Sequence, residues 1–146
     1  MHSKFRNNIM DIANVDPYET SEDEQYMSVS QLQHFRRILE SWKAHLMKEV
    51  DRTVDHMKGD SVNFPDMIDR ATQEEEFALE LRTRDRERKL IKKIESTLSS
   101  IDRDEFGYCV TCGVEIGIKR LEARPTANQC IDCKTISEIK EKQIAD

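Results

Sequence analysis

Four cysteines stand in two pairs, Cys109-x2-Cys112 followed by Gly113, and Cys130-x2-Cys133, with seventeen residues between the pairs. Each Cys-x2-Cys turn can aim two thiolates at one ion, and Gly113 gives the first turn the backbone freedom it requires. Four thiolates complete a tetrahedral shell and leave no place for a reactive water. The spacing therefore predicts one structural Zn2+ held by Cys109, Cys112, Cys130 and Cys133. Its binding would supply folding energy that so small a module lacks. A redox dithiol would use one such pair beside a βαβ pattern, which is absent from this sequence. Disulfides are disfavoured, because the N-terminus lacks a basic segment followed by an apolar core and a cytoplasmic location is expected. Oxidation sensing by the thiols is a secondary reading.

No other chemistry-bearing pattern competes. There is no His-Glu-x-x-His, no phosphate-cradling glycine loop and no supported Ser/His/Asp arrangement, so an enzyme is disfavoured. His34, His45 and His56 recur every eleven residues and share a helix face. They would lie about 16 Å apart, too far to share a metal, and a solvated face is expected for them.

The elements that must position the cysteines are helical. The chain has 146 residues, 37% hydrophobic and 36% charged, with only four glycines and three prolines. That balance suits long solvated helices better than a sheet, and no apolar run approaches a membrane span. Leu32, Phe35, Leu39, Trp42, Leu46, Val50, Val54 and Met57 follow one another at helical steps, with Ser28 or Ser30 as candidate caps. Lys58-Gly59-Asp60 stops this stripe and Asn63-Phe64-Pro65-Asp66 reads as a turn. Phe77, Leu81, Ile91, Ile94, Leu98 and Ile101 form a second stripe, in which Arg84 and Arg88 occupy apolar positions through their aliphatic stems. Two such helices must fold back antiparallel, giving an arm on the order of 45 Å long. The expected fold is thus mainly α: a long two-helix coiled coil on a small four-Cys zinc-finger base. Residues 1–30 would pack on the base through Ile9, Ile12, Val15 and Tyr18. The hairpin would span 31–102 with its tip near 60–71, the zinc module 103–134, and a short C-terminal helix 135–146.

The net charge of −6 disfavours a duplex-binding role, because phosphate recognition calls for a basic surplus. The charges are segregated, however. Asp66, Asp69, Glu74, Glu75, Glu76 and Glu80 precede a block of Arg82, Arg84, Arg86, Arg88, Lys89, Lys92 and Lys93. Asp66 and Asp69 would serve locally as helix-capping groups.

The combination of a cysteine-rich base and an acid-tipped hairpin resembles the DksA/TraR zinc-finger family of bacterial RNA polymerase regulators. The resembling stretches are LQHFRRILESWKAHLMKEVDRTVD (32–55), NFPDMIDRATQEEEFALELRTRDRERKLIKKIE (63–95) and FGYCVTCGVEIGIKRLEARPTANQCIDCK (106–134). The resemblance implies a factor that binds RNA polymerase directly and inserts its coiled coil through the secondary channel. It would act with guanosine tetraphosphate (ppGpp) in the stringent response, inhibiting ribosomal RNA promoters and activating some amino-acid biosynthesis promoters. Under it, Asp66, Asp69 and Ala71 fall on the tip motif, while Met67 and Ile68 replace the usual Pro and Val. Lys93, Arg124 and Lys134 fall on ppGpp-binding positions and Arg86 on a contact to the polymerase rim. A monomer without sequence-specific DNA binding is expected. The alternatives are a zinc-ribbon DNA-binding repressor and a coiled-coil adaptor.

Overall fold

Ser28 starts the first long helix. Its Oγ accepts the amide of Gln31 at 3.3 Å, and the buried Gln31 side chain reaches back to accept the amide of Met27 at 2.6 Å. This reciprocal arrangement satisfies donors that a helix start leaves unpaired. The computed structural model describes residues 9–59 and 67–145. Their helices are α1 (Ile9–Ala13), α2 (Val29–Gly59), α3 (Met67–Asp102), α4 (Ile118–Ala123) and α5 (Ile131–Ala145). Neither α1 nor α4 was apparent from hydrophobic periodicity, since each is too short to display a stripe.

α2 and α3 form the antiparallel hairpin. Arg36 pairs with Asp102, Lys43 with Glu95 at 3.4 Å and His56 with Glu80 at 2.8 Å, so the partner retreats along α3 as α2 advances. At 1.5 Å per residue the two helices run about 46 and 54 Å. On α3 a continuous row of buried or half-buried residues runs Gln73, Phe77, Glu80, Arg84, Glu87, Ile91, Ile94, Leu98 and Ile101, with Thr83, Leu90, Thr97 and Ser100 half-buried at its flanks. The steps of the row alternate between four and three, the heptad phase of a coiled coil. This phase puts Glu87 in the seam and leaves Arg88 exposed, contrary to expectation, while Arg84 is half-buried as expected. Met57 belongs to α2, but its side chain lies outside the described residues, as do the turn over 60–66 and Asp66.

The seam changes character along its length. Near the base, Phe35, Ile38, Leu39 and Ile94 are fully buried, with Trp42, Leu46 and Ile101 beside them. Further out, Glu80 Oε2, Arg84 Nε and Glu87 Oε2 are buried without a hydrogen-bond partner. Burial, reinforced by the charge of Glu49 across the hairpin, pushes the Glu87 carboxyl up from its ordinary value.

The N-terminal segment closes the base. Met10 and Ala13 are its buried residues, with Ile9 and Val15 packed alongside. Ile12, expected in this contact, is 38% exposed, because the single helical turn directs Met10 and Ala13 inward instead. His34 is also a correction. It is only 7% exposed rather than solvated, with Nε2 2.8 Å from Glu122 Oε2 and its ring against Tyr18. A polar residue in an otherwise apolar position is tolerated there because the carboxylate satisfies it. His45 and His56 are exposed as expected.

Two stability measurements check this architecture. Ile94→Ala should lower the unfolding free energy by about 2–5 kcal/mol in chemical denaturation, as expected for a buried aliphatic truncation. Glu87→Gln should have the opposite sign at pH 7. A carboxyl with a raised folded-state pKa costs stability when ionised, and the cost fades as pH falls through that pKa. The variant's higher melting temperature should therefore vanish in acid below the ordinary carboxylate value of about 4.3.

Candidate metal centre and basic groove

The two cysteine pairs are built by different local devices. In the first, Cys109 N–H donates to Val114 O at 2.8 Å and Gly113 N–H to Cys109 O at 2.9 Å, a tight knuckle in which Gly113 takes φ +80°. Tyr108 and Glu115 close it as an isolated antiparallel bridge. The second pair lies where α5 begins: Cys133 is on its first turn and its amide approaches Cys130 Sγ at 3.5 Å. The four sulfurs lie within 4.8 Å of one another, and Cys112 Sγ is 3.7 Å from Cys130 Sγ. A tetrahedron with Zn–S bonds near 2.3 Å has edges of about 3.8 Å. The donor set and its spacing therefore fit Zn2+.

The protonation of the cluster points the same way. Burial opposes ionisation of Cys109, but amides of Cys112, Cys130 and Thr111 outweigh it and bring the thiol down to about 5. Contacts with Cys130 and Cys112, then burial, push Cys133 up to about 12. One sulfur holds negative charge at the expense of its neighbours, and a divalent cation is what would let all four ionise.

The module is tied to the arm at several points. Phe106 is buried with its ring 5.3 Å from Phe35, and Leu121 of α4 is fully buried. Tyr26 Oη donates to Gly107 O at 2.7 Å and accepts Gly117 N–H at 3.0 Å. Glu122 Oε2 receives both the Tyr18 amide at 2.9 Å and the His34 contact. Gly107 is required here: it has φ +96°, and a Cβ would come within 2.9 Å of Met27 Cγ.

Between the end of α3 and the α4–α5 connection opens a groove of about 560 Å³. It gathers Lys93, Arg103, Arg120, Arg124 and Lys134, with Glu105 as its acidic residue and Ile9, Trp42 and Phe106 on its apolar side. Three of these cations, Lys93, Arg124 and Lys134, were singled out from the sequence, and the fold brings them to one place. Arg103 and Arg120 were not. Lys93, Thr97 and Ser100 of α3 and Arg103 just past its end fall at steps of four, three and three, a signal that could have found Arg103. Arg120 is fixed by its Nε donating to Gln129 O at 3.1 Å. The remaining candidates are elsewhere on α3: Asp69 and Ala71 are exposed and more than about 30 Å along the helix from Lys93, and exposed Arg86 lies two turns before Lys93.

Two family models match the chain: "DnaK suppressor protein DksA, N-terminal domain" over residues 31–101 and "Prokaryotic dksA/traR C4-type zinc finger" over residues 104–138. The chain belongs to the DksA/TraR zinc-finger family. It is 65% identical over 137 residues to the RNA polymerase-binding transcription factor DksA of Escherichia coli K12, covering 94% of this chain and 91% of that protein. With the factor of the same name from Haemophilus influenzae it shares 61%, covering 94% of each. Among solved structures, transcription factor DksA2 from Pseudomonas aeruginosa superposes with a TM-score of 0.75 at 32% identity, covering 80% of this chain and 90% of that one. The family is one of transcription factors, not enzymes, and its C4-type zinc finger coincides with the four-sulfur cluster. Among the described residues, no helix is long and apolar enough to cross a membrane.

Removing the metal should uncouple the base from the arm. Chelation of the purified protein is expected to release about one zinc per chain and to lower its melting temperature by several degrees. Colorimetric zinc release and thermal circular dichroism check this. A metal-free variant with all four cysteines replaced by serine that melts like the parent would refute it.

Proposed function

We propose that this chain is a transcription regulator that binds RNA polymerase directly. In this reading its coiled coil enters the secondary channel and it acts with guanosine tetraphosphate in the stringent response. Ribosomal RNA promoters would be inhibited and some amino-acid biosynthesis promoters activated. The observation that carries the proposal is the near full-length similarity to factors named for polymerase binding.

Physical features support it. A hairpin of about 50 Å can carry a small acidic tip far from its base. Asp66, Asp69 and Ala71 would form that working tip, and exposed Arg86 would meet the rim of the channel. Lys93, Arg124 and Lys134 would hold the nucleotide's phosphates against the polymerase, since charge-assisted contacts are the strong ones. Zn2+ on the four cysteines would be structural, with its four ligand positions filled by protein. A net charge of −6 argues against direct DNA reading. The protein would work in the cytoplasm as a monomer.

Transcription from a ribosomal RNA promoter with purified polymerase tests the proposal. Inhibition is expected from the protein alone, and stronger inhibition with guanosine tetraphosphate; no effect in either condition would sink it. Asp66→Asn separates charge from capping, because Asn caps nearly as well. Regulation should fall by about tenfold or more while polymerase binding persists.

A further inference from the structure

The end of α3 is shaped by a left-handed residue. Asp104 takes φ +56°, its amide donates to Ile101 O at 3.2 Å, and the amide of Glu105 donates to Ser100 O at 2.9 Å. This pair of bonds is a Schellman cap, in which the chain reverses direction within two residues. The reversal leaves Arg103 and Glu105 on the same wall of the basic groove, where Arg103 Nε meets Glu105 Oε2 at 3.2 Å.

That pair is poorly suited to a structural role. Both side chains are mostly exposed, at 58% and 63%, and they are separated by a single residue. Exposed pairs of this kind contribute little to stability. Their placement is more informative than their strength. Among the described residues the groove gathers five cations in a chain of net charge −6, and the one carboxylate lining it is the partner of one of those cations. A guanidinium presents a planar fork suited to phosphate oxygens, and a phosphate competes well for it against a solvated carboxylate.

We infer that Arg103 is a further anion-contacting residue of this groove, and that Glu105 holds it until a nucleoside polyphosphate takes its place. The inference rests on the proposed function and extends it to residues outside the positions carried over from the family. Glu105 acts in two ways: it neutralises Arg103 while the groove is empty, and its charge opposes an entering polyanion. Arg103 therefore sets how much nucleotide is needed, and Glu105 raises that amount.

The test is a guanosine tetraphosphate titration of ribosomal RNA promoter inhibition, using the full-length zinc-loaded chain with purified polymerase. Arg103→Ala should raise the half-maximal nucleotide concentration by about fivefold, the scale of one partly solvated charge-assisted contact. Arg103→Lys should recover part of the loss. Glu105→Gln should shift the half-maximal concentration the other way, to less nucleotide, which damage to the turn would not do. An unchanged half-maximal concentration in Arg103→Ala overturns the inference. An unchanged or raised value in Glu105→Gln overturns the competition assigned to that residue. If the parent chain itself shows no response to nucleotide, the proposed function fails, a result distinct from failure of Arg103 alone.

Discussion

Four sulfurs cannot all carry charge within 4.8 Å of one another unless a cation holds them, and the layout of the base follows from that gathering. The first pair comes from a glycine knuckle and the second from the start of α5, so joining them fixes the intervening α4. Once α4 is fixed, Leu121 can fill the apolar base and Glu122 can meet His34. Arg120, Arg124 and Lys134 are carried to the same side as Lys93 by the same closure. The zinc-finger module thus acts as a clamp on helices that would otherwise have few reasons to hold one orientation.

The arm obeys a different constraint. Its seam keeps the heptad phase over almost all of α3, but its content shifts from isoleucine and leucine near the base to glutamate and arginine further out. Apolar burial anchors the hairpin where the zinc module sits. Beyond that point, buried polar atoms without partners lower the stability of the seam. A hairpin built this way is firm at its root and less tightly held toward its tip.

Charge is likewise distributed by position and not by total. A chain of net charge −6 places five cations, among the described residues, around one groove and an acidic block along the opposite end of α3. Net charge speaks to solubility and to non-specific binding of polyanions such as duplex DNA. The local excess at the groove decides what can bind there, and it arises because the end of α3 is folded against the α4–α5 connection.

Much of this was legible in the sequence. Cys-x2-Cys twice over specifies a metal site because each pair is a local turn, and α2 and α3 are readable because a helical stripe repeats over many turns. The three-residue spacing of Asp66 and Asp69 marked a helix start by its capping pattern, whereas Ala71 was singled out only through the family resemblance. The structure decided what depends on distant partners. His34 is buried because Glu122, 88 residues away, supplies its hydrogen-bond partner, and no helical period encodes that. Ile12 is exposed and Met10 buried because a single turn docks on a surface made by other elements. Glu87, not Arg88, occupies the seam because pairing with α2 imposes a 3.5-residue phase on α3. The gathering of Lys93, Arg103, Arg120, Arg124 and Lys134 belongs to the same class. Spacing along a chain determines what a segment can do by itself, whereas convergence is decided by the clamp that brings segments together.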